Sequence, residues 1–439
     1  MGVSRIGIGL IGFGTVGTGV AAVLQRNADV IERRVGVPVA IMRVADLDIE
    51  KDRGVPLPYG VLTTDAASVI RDPSVDIVVE LIGGYEPAKQ LILSAIQQGK
   101  PVVTANKALL AVHGEDIFAA AVRANVDLGF EASVGGGIPI IRTMMEGLAA
   151  NHFTSIFGIM NGTSNYILTK MTEEEKSFSD TLKDAQQAGY AEADPTFDIE
   201  GIDAAHKLAI LVSLAYGTPV NVKDVYTEGI RQLAPLDIQF AKEFGFTVKL
   251  LGIAKDHGGE IEARVHPTLV PSSSPLAKVG GVYNAIHVVG DMVEDIVLYG
   301  KGAGSLPTAS AVVSDIIDVA RNRLKGIAGR VPPTAFQWTS RRPLRIRPIE
   351  EITSMYYLRM MVRDQPGVLS AIAGVLGANG ISISSVLQKG REEGQTVPLV
   401  IMTHRSSERA IQEAIRHINA LWCVSEPAVL LRIEGVEGS

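Results

Sequence analysis

Short apolar runs alternate with helix-like stretches through the first third of the chain. The intervening stretches repeat apolar residues every three or four positions, as helices with one buried face do. Helices are predicted after Gly12 and near Glu86. Strands that alternate with helices form a parallel sheet covered on both faces, so residues 1–140 are predicted to form a doubly wound α/β domain of the Rossmann type. Its predicted strands are residues 6–11, 39–45, 75–82, 101–104 and 126–131.

The pattern changes between residues 141 and 325, where the apolar runs are longer and helices are interspersed among them. This region is predicted to be an α+β substrate-binding and catalytic domain with a mostly antiparallel sheet. A last helix is predicted over residues 305–323, and the sequence leaves open whether it returns to the first domain. The predicted strands of this region are residues 154–160, 249–255, 261–269, 285–289 and 296–299.

The final part of the chain divides into a linker and a small domain. Residues 326–354 are rich in Gly, Pro and Arg, which is typical of a linker. Its basic run suggests an RNA contact or a solvated linker, and the absence of interleaved aromatic residues favours the linker. Residues 355–433 follow the order strand, helix, strand, strand, helix, strand, which predicts a ferredoxin-like domain.

Composition and charge exclude several classes of function. A chain of 439 residues is too long for one ordinary core, so two or three domains are expected. The net charge of −7 gives no basic field for non-specific binding of nucleic acid or anionic lipid. The single cysteine, Cys423, excludes an intrachain disulfide and a cysteine metal cluster. The start of the chain lacks the apolar run of a signal peptide, and no long apolar run suggests a membrane span, so we expect a cytoplasmic protein.

A glycine-rich turn after the first predicted strand carries the clearest binding motif. It has the pattern G-x-G-x-x-G and consists of Gly12, Phe13, Gly14, Thr15, Val16 and Gly17. In this strand-to-helix context the glycines allow a pyrophosphate to approach backbone N–H groups at the helix N-terminus. A tight turn without a ligand is the less favoured alternative.

Two charged residues at the end of the second predicted strand bear on the choice of cofactor. Asp46 suits the ribose of NAD, and Arg43 suits the extra phosphate of NADP, so the sequence leaves both cofactors possible. Either residue could equally be a surface charge without a ligand.

Two lysines and an aspartate are the main catalytic candidates. Thr104 and Lys107 lie at the carboxyl end of the fourth strand, where ligands of doubly wound sheets bind, although a lysine there is often merely solvated. Asp203 and Lys207 are four positions apart on a helix that is apolar on nearly every side, over residues 201–216. A surface ion pair is the alternative, but a buried, paired lysine is a candidate proton donor.

The glycine-rich loop at residues 131–139 also has two interpretations. Its backbone carbonyls could hold a hard cation, or the loop could serve as a flexible hinge between domains. The loop composition alone favours the hinge.

Six ordered motifs make the whole chain resemble the homoserine dehydrogenase family with a C-terminal ACT domain. Such a resemblance implies reversible reduction of L-aspartate 4-semialdehyde to L-homoserine with NADP or NAD, in threonine, methionine and isoleucine biosynthesis. It also implies feedback inhibition by an amino acid, usually threonine, through the ACT domain. The motifs are Gly-Phe-Gly-Thr-Val-Gly at 12–17, Thr-Ala-Asn-Lys at 104–107, Glu-Ala-Ser-Val-Gly-Gly-Gly-Ile-Pro at 131–139, Asn-Gly-Thr-Ser-Asn at 161–165, Gly-Tyr-Ala-Glu-Ala-Asp-Pro at 189–195 and Gly-Ile-Asp-Ala-Ala-His-Lys at 201–207.

The resemblance also implies roles for individual residues. Lys207 matches the lysine that protonates the substrate oxygen, and Lys107 a second lysine near the substrate and the nicotinamide. Glu192 matches the carboxylate that holds the substrate amino group, and Gly302 a late cofactor contact. Further substrate-pocket positions are matched by Asp198, Asp203, Tyr190 and Thr163. Backbone ligands of a sodium ion that braces the hinge are matched by Glu131, Val134, Gly136 and Ile138.

Two rival functions are weaker. A dehydrogenase that makes the semialdehyde through a thioester needs a cysteine near the nicotinamide, and Cys423 lies in the tail domain. A non-catalytic sensor built from a nucleotide-binding domain and an ACT domain would have no need of a proton donor. Because ACT domains commonly pair side by side, we expect a homodimer or homotetramer that binds a small-molecule substrate and an amino-acid effector.

Overall fold

The computed structural model describes residues 4–389 and 395–435. Residues 1–3 of the first predicted domain and residues 390–394 of the last lie outside the described residues. No helix within the described ranges is long and apolar enough to cross a membrane.

The first domain is a six-stranded parallel sheet with the strand order β3-β2-β1-β4-β5-β6, which confirms the doubly wound prediction. The strand predicted over residues 75–82 is shorter at both ends because its terminal residues hydrogen-bond elsewhere: Val75 N–H donates to the Asp72 carbonyl, and Ile82 N–H donates to the Glu80 carboxylate. The strands are β1 Ile6–Ile11, β2 Val39–Ala45, β3 Leu62–Thr63, β4 Ile77–Glu80, β5 Val102–Thr104 and β6 Leu128–Gly129. The helices are α1 Thr15–Arg26, α2 Ala28–Val35, α3 Ala66–Arg71, α4 Ala88–Gln97 and α5 Lys107–Ala124.

The second domain has a largely antiparallel sheet, as the longer apolar runs predict. Its strands are β7 Phe153–Ile159, β8 Tyr226–Thr227, β9 Phe246–Asp256, β10 Glu260–Pro271, β11 Tyr283–Gly290 and β12 Glu294–Lys301. Its helices are α6 Ile140–Arg142, α7 Gly162–Glu174, α8 Phe178–Gln187, α9 Thr196–Ile199, α10 Ile202–Tyr216, α11 Pro235–Glu243 and α12 Ser305–Leu324. Helix α10 is buried along almost its whole length, because its apolar residues cover every side.

Helix α12 returns to the first domain, which answers the question that the sequence leaves open. Its residues Ala309, Val312 and Ile316 share one apolar core with β1. The Ser305 hydroxyl donates a 2.8 Å hydrogen bond to the Thr15 carbonyl. Helix α1 approaches closely at Gly19, where a Cβ atom would lie 2.6 Å from the Ser305 hydroxyl oxygen. The last helix of the second sequence region therefore holds the two domains together beside the glycine-rich turn.

The C-terminal domain has the predicted ferredoxin-like order. It contains β14 Thr353–Arg363, α13 Val368–Ala378, β15 Ile383–Gln388, β16 Thr396–Thr403, α14 Glu408–Asn419 and β18 Val429–Ile433, with the short strands β13 Arg345–Ile346 before it and β17 Ser406–Ser407 within it. Strand β18 pairs in parallel with β10, so one continuous sheet runs from the second domain into the third. The sequence pattern does not predict this fusion, because each domain is patterned as a unit of its own.

The arginine-rich part of segment 326–354 lies against the first and second domains. Strand β13 pairs in parallel with β10. Arg345 and Arg347 both pair with Glu260, at 2.9 and 2.8 Å, and Arg341 pairs with Glu115. These basic side chains are therefore partnered by acidic residues of the chain itself.

Candidate active site

A cleft of about 630 Å³ lies between the carboxyl ends of the parallel strands and the second domain. Ligands of doubly wound sheets bind at this edge. The cleft brings together a set of residues that the sequence predicts: Thr15, Val16, Lys107, Gly136, Thr163, Tyr190, Asp198, Asp203, Lys207 and Gly302. It is also lined by residues that were not predicted from the sequence, among them Ala105, Ser133, Asn161, Lys301 and Gly304.

The glycine-rich turn between β1 and α1 is shaped to receive a phosphate group. Gly12 has a φ of +101°, and a Cβ atom there would lie 2.8 Å from the Leu81 carbonyl. A Cβ atom at Gly17 would lie 2.2 Å from the Gly12 carbonyl oxygen, so this glycine is needed for packing. At Gly14, by contrast, a Cβ atom would meet nothing within 4 Å, and no side chain caps the start of α1 there. The turn therefore offers an open helix N-terminus, which fits the pyrophosphate of a dinucleotide.

The charged residues in and after β2 differ in whether they contact this turn. Asp46 accepts a 2.6 Å hydrogen bond from the Phe13 N–H and pairs with Arg53 at 2.9 Å. Arg43, which the sequence suggests for a cofactor contact, pairs instead with Asp72 at 2.6 Å and donates to the Gly60 carbonyl. The arginine that reaches the glycine-rich turn is therefore Arg53, which was not predicted from the sequence.

Asp203 joins the two predicted lysines at the floor of the cleft. It lies in the first turn of α10, and Lys207 follows one turn later, so both side chains share one face. The Lys207 ammonium lies 2.7 Å from one Asp203 oxygen and donates a 2.6 Å hydrogen bond to the Met160 carbonyl. The Lys107 ammonium, at the start of α5, lies 3.1 Å from the other Asp203 oxygen. One carboxylate thus holds two ammonium groups from different domains.

Burial and charge set the protonation behaviour of this cluster. Burial alone would raise the pKa of Asp203, but the ammonium groups of Lys207 and Lys107 overcome it and hold that pKa well below its usual range. Burial lowers the pKa of Lys207 from its ordinary value, with the Lys107 charge adding to the effect and Asp203 opposing it. Lys207 is therefore an ammonium group that gives up its proton more readily than a solvated lysine, while Asp203 stays ionised.

Asn161 joins two carboxylates of the cleft, at a position that was not predicted from the sequence. Its amide nitrogen donates to Asp198 at 2.6 Å and to Asp203 at 2.9 Å. Its amide oxygen accepts the Ser164 N–H and so caps the start of α7. Burial raises the pKa of Asp198, and the Asp203 charge adds to this rise against the lowering effect of Asn161. The motif Asn-Gly-Thr-Ser-Asn contained the signal, since Asn is a preferred cap between a strand and a helix.

The remaining predicted substrate and cofactor residues divide into those that line the cleft and those that do not. Thr163 and Tyr190 line the cleft, and the Thr163 hydroxyl donates a 2.7 Å hydrogen bond to the Tyr190 carbonyl. The side chain of Glu192, two residues further on, is exposed and does not line the cleft in this structure. Thr104 is fully buried, and its hydroxyl donates to the Glu80 carboxylate at 2.7 Å. Thr104 therefore contributes to the join between β4 and β5.

The loop at residues 131–139 doubles back beneath the cleft. Gly135 and Gly136 have φ values of +72° and +56°. A Cβ atom at Gly136 would lie 2.4 Å from the Gly302 carbonyl oxygen, so the loop and the strand end pack backbone against backbone. Among the described residues, no group of three or more His, Cys, Asp or Glu side chains could hold a metal ion.

Comparisons with known proteins agree over the whole chain. Family models match residues 12–131 ("Homoserine dehydrogenase, NAD binding domain"), 139–317 ("Homoserine dehydrogenase") and 356–423 ("ACT domain"). A homoserine dehydrogenase of Neisseria gonorrhoeae is 50% identical over 431 residues, which cover 98% of this chain and 99% of that protein.

Solved structures are similar as well. The crystal structure of a homoserine dehydrogenase from Thiobacillus denitrificans matches with a TM-score of 0.93 and 47% identity, covering 99% of both chains. A hyperthermophilic archaeal homoserine dehydrogenase in complex with NADPH matches with a TM-score of 0.62 and 28% identity, covering 72% of this chain and 97% of that chain.

Proposed function

The chain belongs to the homoserine dehydrogenase family, and on that premise we propose that it reversibly reduces L-aspartate 4-semialdehyde to L-homoserine with NADPH or NADH. The observation that carries the proposal is the Lys207–Asp203–Lys107 cluster, which lies in the same cleft as the start of α1. The cluster offers positive charge and a proton beside the place where the glycine-rich turn would hold a dinucleotide.

The proposed reaction needs a hydride and a proton to be added across the aldehyde C=O bond. When bound, the reduced nicotinamide supplies the hydride to the aldehyde carbon. The Lys207 ammonium donates its proton to the carbonyl oxygen as negative charge develops there. Asp203 keeps the Lys207 ammonium in place, and the Met160 carbonyl accepts a second hydrogen bond from it. Lys207 is left neutral after the transfer and takes a proton from solvent before the next turnover.

Lys107 is the second cation of the proposed site. Its side chain is about a third exposed and reaches Asp203 from the opposite domain. We propose that it contacts the substrate or the nicotinamide when the cleft is filled. Because it comes from the first domain, its contact with Asp203 also ties the two walls of the cleft together.

Substrate orientation is proposed to depend on the carboxylates and on the loop that contains Tyr190. Asp198 lies in the cleft and is available to an ammonium group of the substrate. The proposed role of Glu192 in holding the same ammonium requires its exposed side chain to turn into the cleft when substrate binds. Orientation by such ion pairs contributes proximity more than chemistry.

The proposed reaction is tested by replacing the proton donor while leaving its volume nearly unchanged. We expect Lys207→Met to lower kcat by about 100- to 10,000-fold, the usual contribution of a general acid. The dissociation constant for NADPH, measured by its fluorescence, should not change. Lys223→Met, at an exposed lysine outside the cleft, is the control and should behave as wild type. Turnover that survives in Lys207→Met would move the proton transfer to Lys107, and no turnover in wild type would favour a non-catalytic sensor.

We also propose that the loop at residues 131–139 holds a sodium ion through the backbone carbonyls of Glu131, Val134, Gly136 and Ile138. The support is the doubled-back backbone at Gly135 and Gly136. The Glu131 carboxylate braces the loop by accepting the Ile141 and Arg142 N–H groups, each at 2.8 Å. Replacing sodium by choline should weaken cofactor binding and lower the unfolding temperature. No response to sodium at any concentration would remove the proposal.

The C-terminal domain is proposed to bind an amino-acid effector, threonine in the first instance, and to inhibit the enzyme. A physical route for this regulation runs through Arg432, on β18, which pairs with Glu408 of the same domain and with Glu228 of the second domain at 2.9 Å. Two residues after Glu228, the Ile230 N–H donates to the Ile199 carbonyl, which lies between Asp198 and Asp203 in the chain. Threonine should therefore lower the initial rate, and Arg432→Met should weaken this inhibition. An unchanged rate at saturating threonine would refute the role.

A homodimer or homotetramer is proposed as the working assembly. The support is the edge strand β12, whose side chains alternate between exposed and half-buried and include the exposed Val297 and Tyr299. An exposed apolar edge strand is a ready surface for pairing with another chain. A purely monomeric mass in solution would refute the assembly.

A further inference from the structure

A partly buried arginine, Arg53, lies beside the glycine-rich turn, ten positions after the arginine that the sequence suggests. The Arg53 side chain is only 11% exposed, and its guanidinium lies 5.5 Å from the centre of the Phe13 ring. It donates to the backbone carbonyls of Asp48, at 2.7 Å, and Lys51, at 3.1 Å. An arginine with these contacts is held in one place beside the turn, unlike a solvated side chain.

Arg53 also changes what Asp46 can do. An acidic residue at the end of the second strand of such a domain ordinarily accepts the ribose hydroxyls of NAD. Here one Asp46 oxygen accepts the Phe13 N–H, and the other accepts the Asp48 N–H and an N–H of Arg53. Three of about four acceptor positions of the carboxylate are therefore occupied, and its charge is balanced. The pair is poorly suited to select a ribose without a phosphate.

The remaining N–H groups of Arg53 fit an anion. Three of its five N–H donors are used in the described contacts, which leaves two for a ligand. A guanidinium binds phosphate oxygens through paired hydrogen bonds. The end of β2 next to the glycine-rich turn is where the adenosine ribose lies in dinucleotide-binding domains.

We propose that Arg53 binds the 2′-phosphate of NADPH and makes this chain prefer NADPH to NADH. The inference deepens the proposed function by naming the residue that selects the cofactor. The Phe13 ring lies beside the guanidinium, and the Asp46 carboxylate keeps the guanidinium in place until the phosphate binds. Arg43 has no part in this selection, since Asp72 and the Gly60 carbonyl hold its side chain.

Two adenosine fragments test the proposal without relying on turnover. Adenosine 2′,5′-bisphosphate carries the 2′-phosphate, whereas adenosine 5′-phosphate lacks it, and neither contains nicotinamide. Calorimetry should show that wild type binds the bisphosphate more tightly. Arg53→Gln should weaken bisphosphate binding by about 10- to 100-fold, the range expected for hydrogen bonds to a charged group, and leave the 5′-phosphate unchanged. Arg53→Lys, which keeps the charge but not the paired donors, should lie in between.

Two further variants separate phosphate binding by Arg53 from binding by a neighbouring arginine and from a general effect of lost surface charge. Arg43→Gln tests the competing arginine, and Arg33→Gln is a control at a side chain that is 74% exposed. Equal weakening of both fragments in Arg53→Gln would show that Arg53 only holds the loop, and would overturn the proposal. So would a loss that follows Arg43→Gln, or a wild-type chain with no preference for the bisphosphate. Because the fragments do not react, failure of the semialdehyde reaction would not affect this result.

Discussion

Removing the charge of Asp203 should move the pH dependence of the reaction in a direction fixed by the geometry. The Lys207 ammonium lies 2.7 Å from one Asp203 oxygen and Lys107 lies 3.1 Å from the other. Asp203→Asn keeps the shape of the side chain but removes the charge that favours protonated Lys207. Without it, burial and the neighbouring Lys107 charge both lower the Lys207 pKa further below its ordinary value.

The size of the shift follows from the separation of the charges. Opposite charges about 4 Å apart attract by about 4 kcal/mol at an effective dielectric constant near 20, which corresponds to about 3 pKa units. Water that enters the cleft replaces part of this stabilisation, so the pKa of Lys207 should fall by about 1 to 3 units.

Profiles of kcat/KM against pH, recorded in both directions, measure this change. Aldehyde reduction needs protonated Lys207, so its rate falls as pH rises through the Lys207 pKa, and this alkaline limb should move to lower pH in Asp203→Asn. Homoserine oxidation needs neutral Lys207, so its acid limb should move to lower pH by the same amount.

Asp198→Asn is the matched control for this experiment, because Asp198 contributes less to the Lys207 pKa than Asp203 does. Its shift should have the same sign and be smaller. A uniform loss of rate in Asp203→Asn with unmoved limbs would mean that Lys207 is not the group that titrates, and would refute the reasoning.

Three further predictions concern the cofactor turn, the second lysine and the domain junction. Gly14→Ala should leave the unfolding temperature unchanged but weaken dinucleotide binding. Gly17→Ala should lower the unfolding temperature, because only the Cβ atom at Gly17 would meet the backbone. Equal unfolding temperatures of the two variants would contradict this. Lys107→Met should raise KM and lower kcat while preserving the alkaline limb set by Lys207, and loss of that limb would make Lys107 the proton donor. Asp237→Ala removes the carboxylate to which the buried Arg359 and Tyr357 both donate. It should lower the free energy of unfolding in urea by about 3–5 kcal/mol without changing kcat. Asp237→Leu combined with Arg359→Met should restore much of that stability, and a neutral single variant would contradict the prediction.

The first domain was predictable because its pattern is local. Each strand and helix carries its own apolar periodicity, and the glycine-rich turn is fixed by residues adjacent in the chain. Lys207 and Asp203 were predictable for the same reason, since one helical turn places both on one face. The apolar surroundings on α10 also indicated correctly that the pair is buried.

Features that depend on distant contacts could not be predicted in this way. The pairing of β18 with β10 joins residues far apart in the chain, and no periodicity encodes it. Asn161 acts through Asp198 and Asp203, which follow it by 37 and 42 positions. Arg53 and Arg43 look equivalent in sequence, and their different partners decide which of them lies beside the glycine-rich turn. The exposed position of Glu192 likewise depends on the loop conformation, which residue types alone do not fix.

The most direct test of the proposed reaction follows the hydride into the product. The purified chain would be given aspartate 4-semialdehyde and a reduced nicotinamide cofactor deuterated at C4 of the ring, on either face in separate reactions. Mass spectrometry should then show homoserine with one deuterium on the carbon that bears the new hydroxyl, from one face only, and almost none from Lys207→Met. Cofactor oxidation without labelled homoserine, or no turnover with either cofactor, would contradict the proposed reaction.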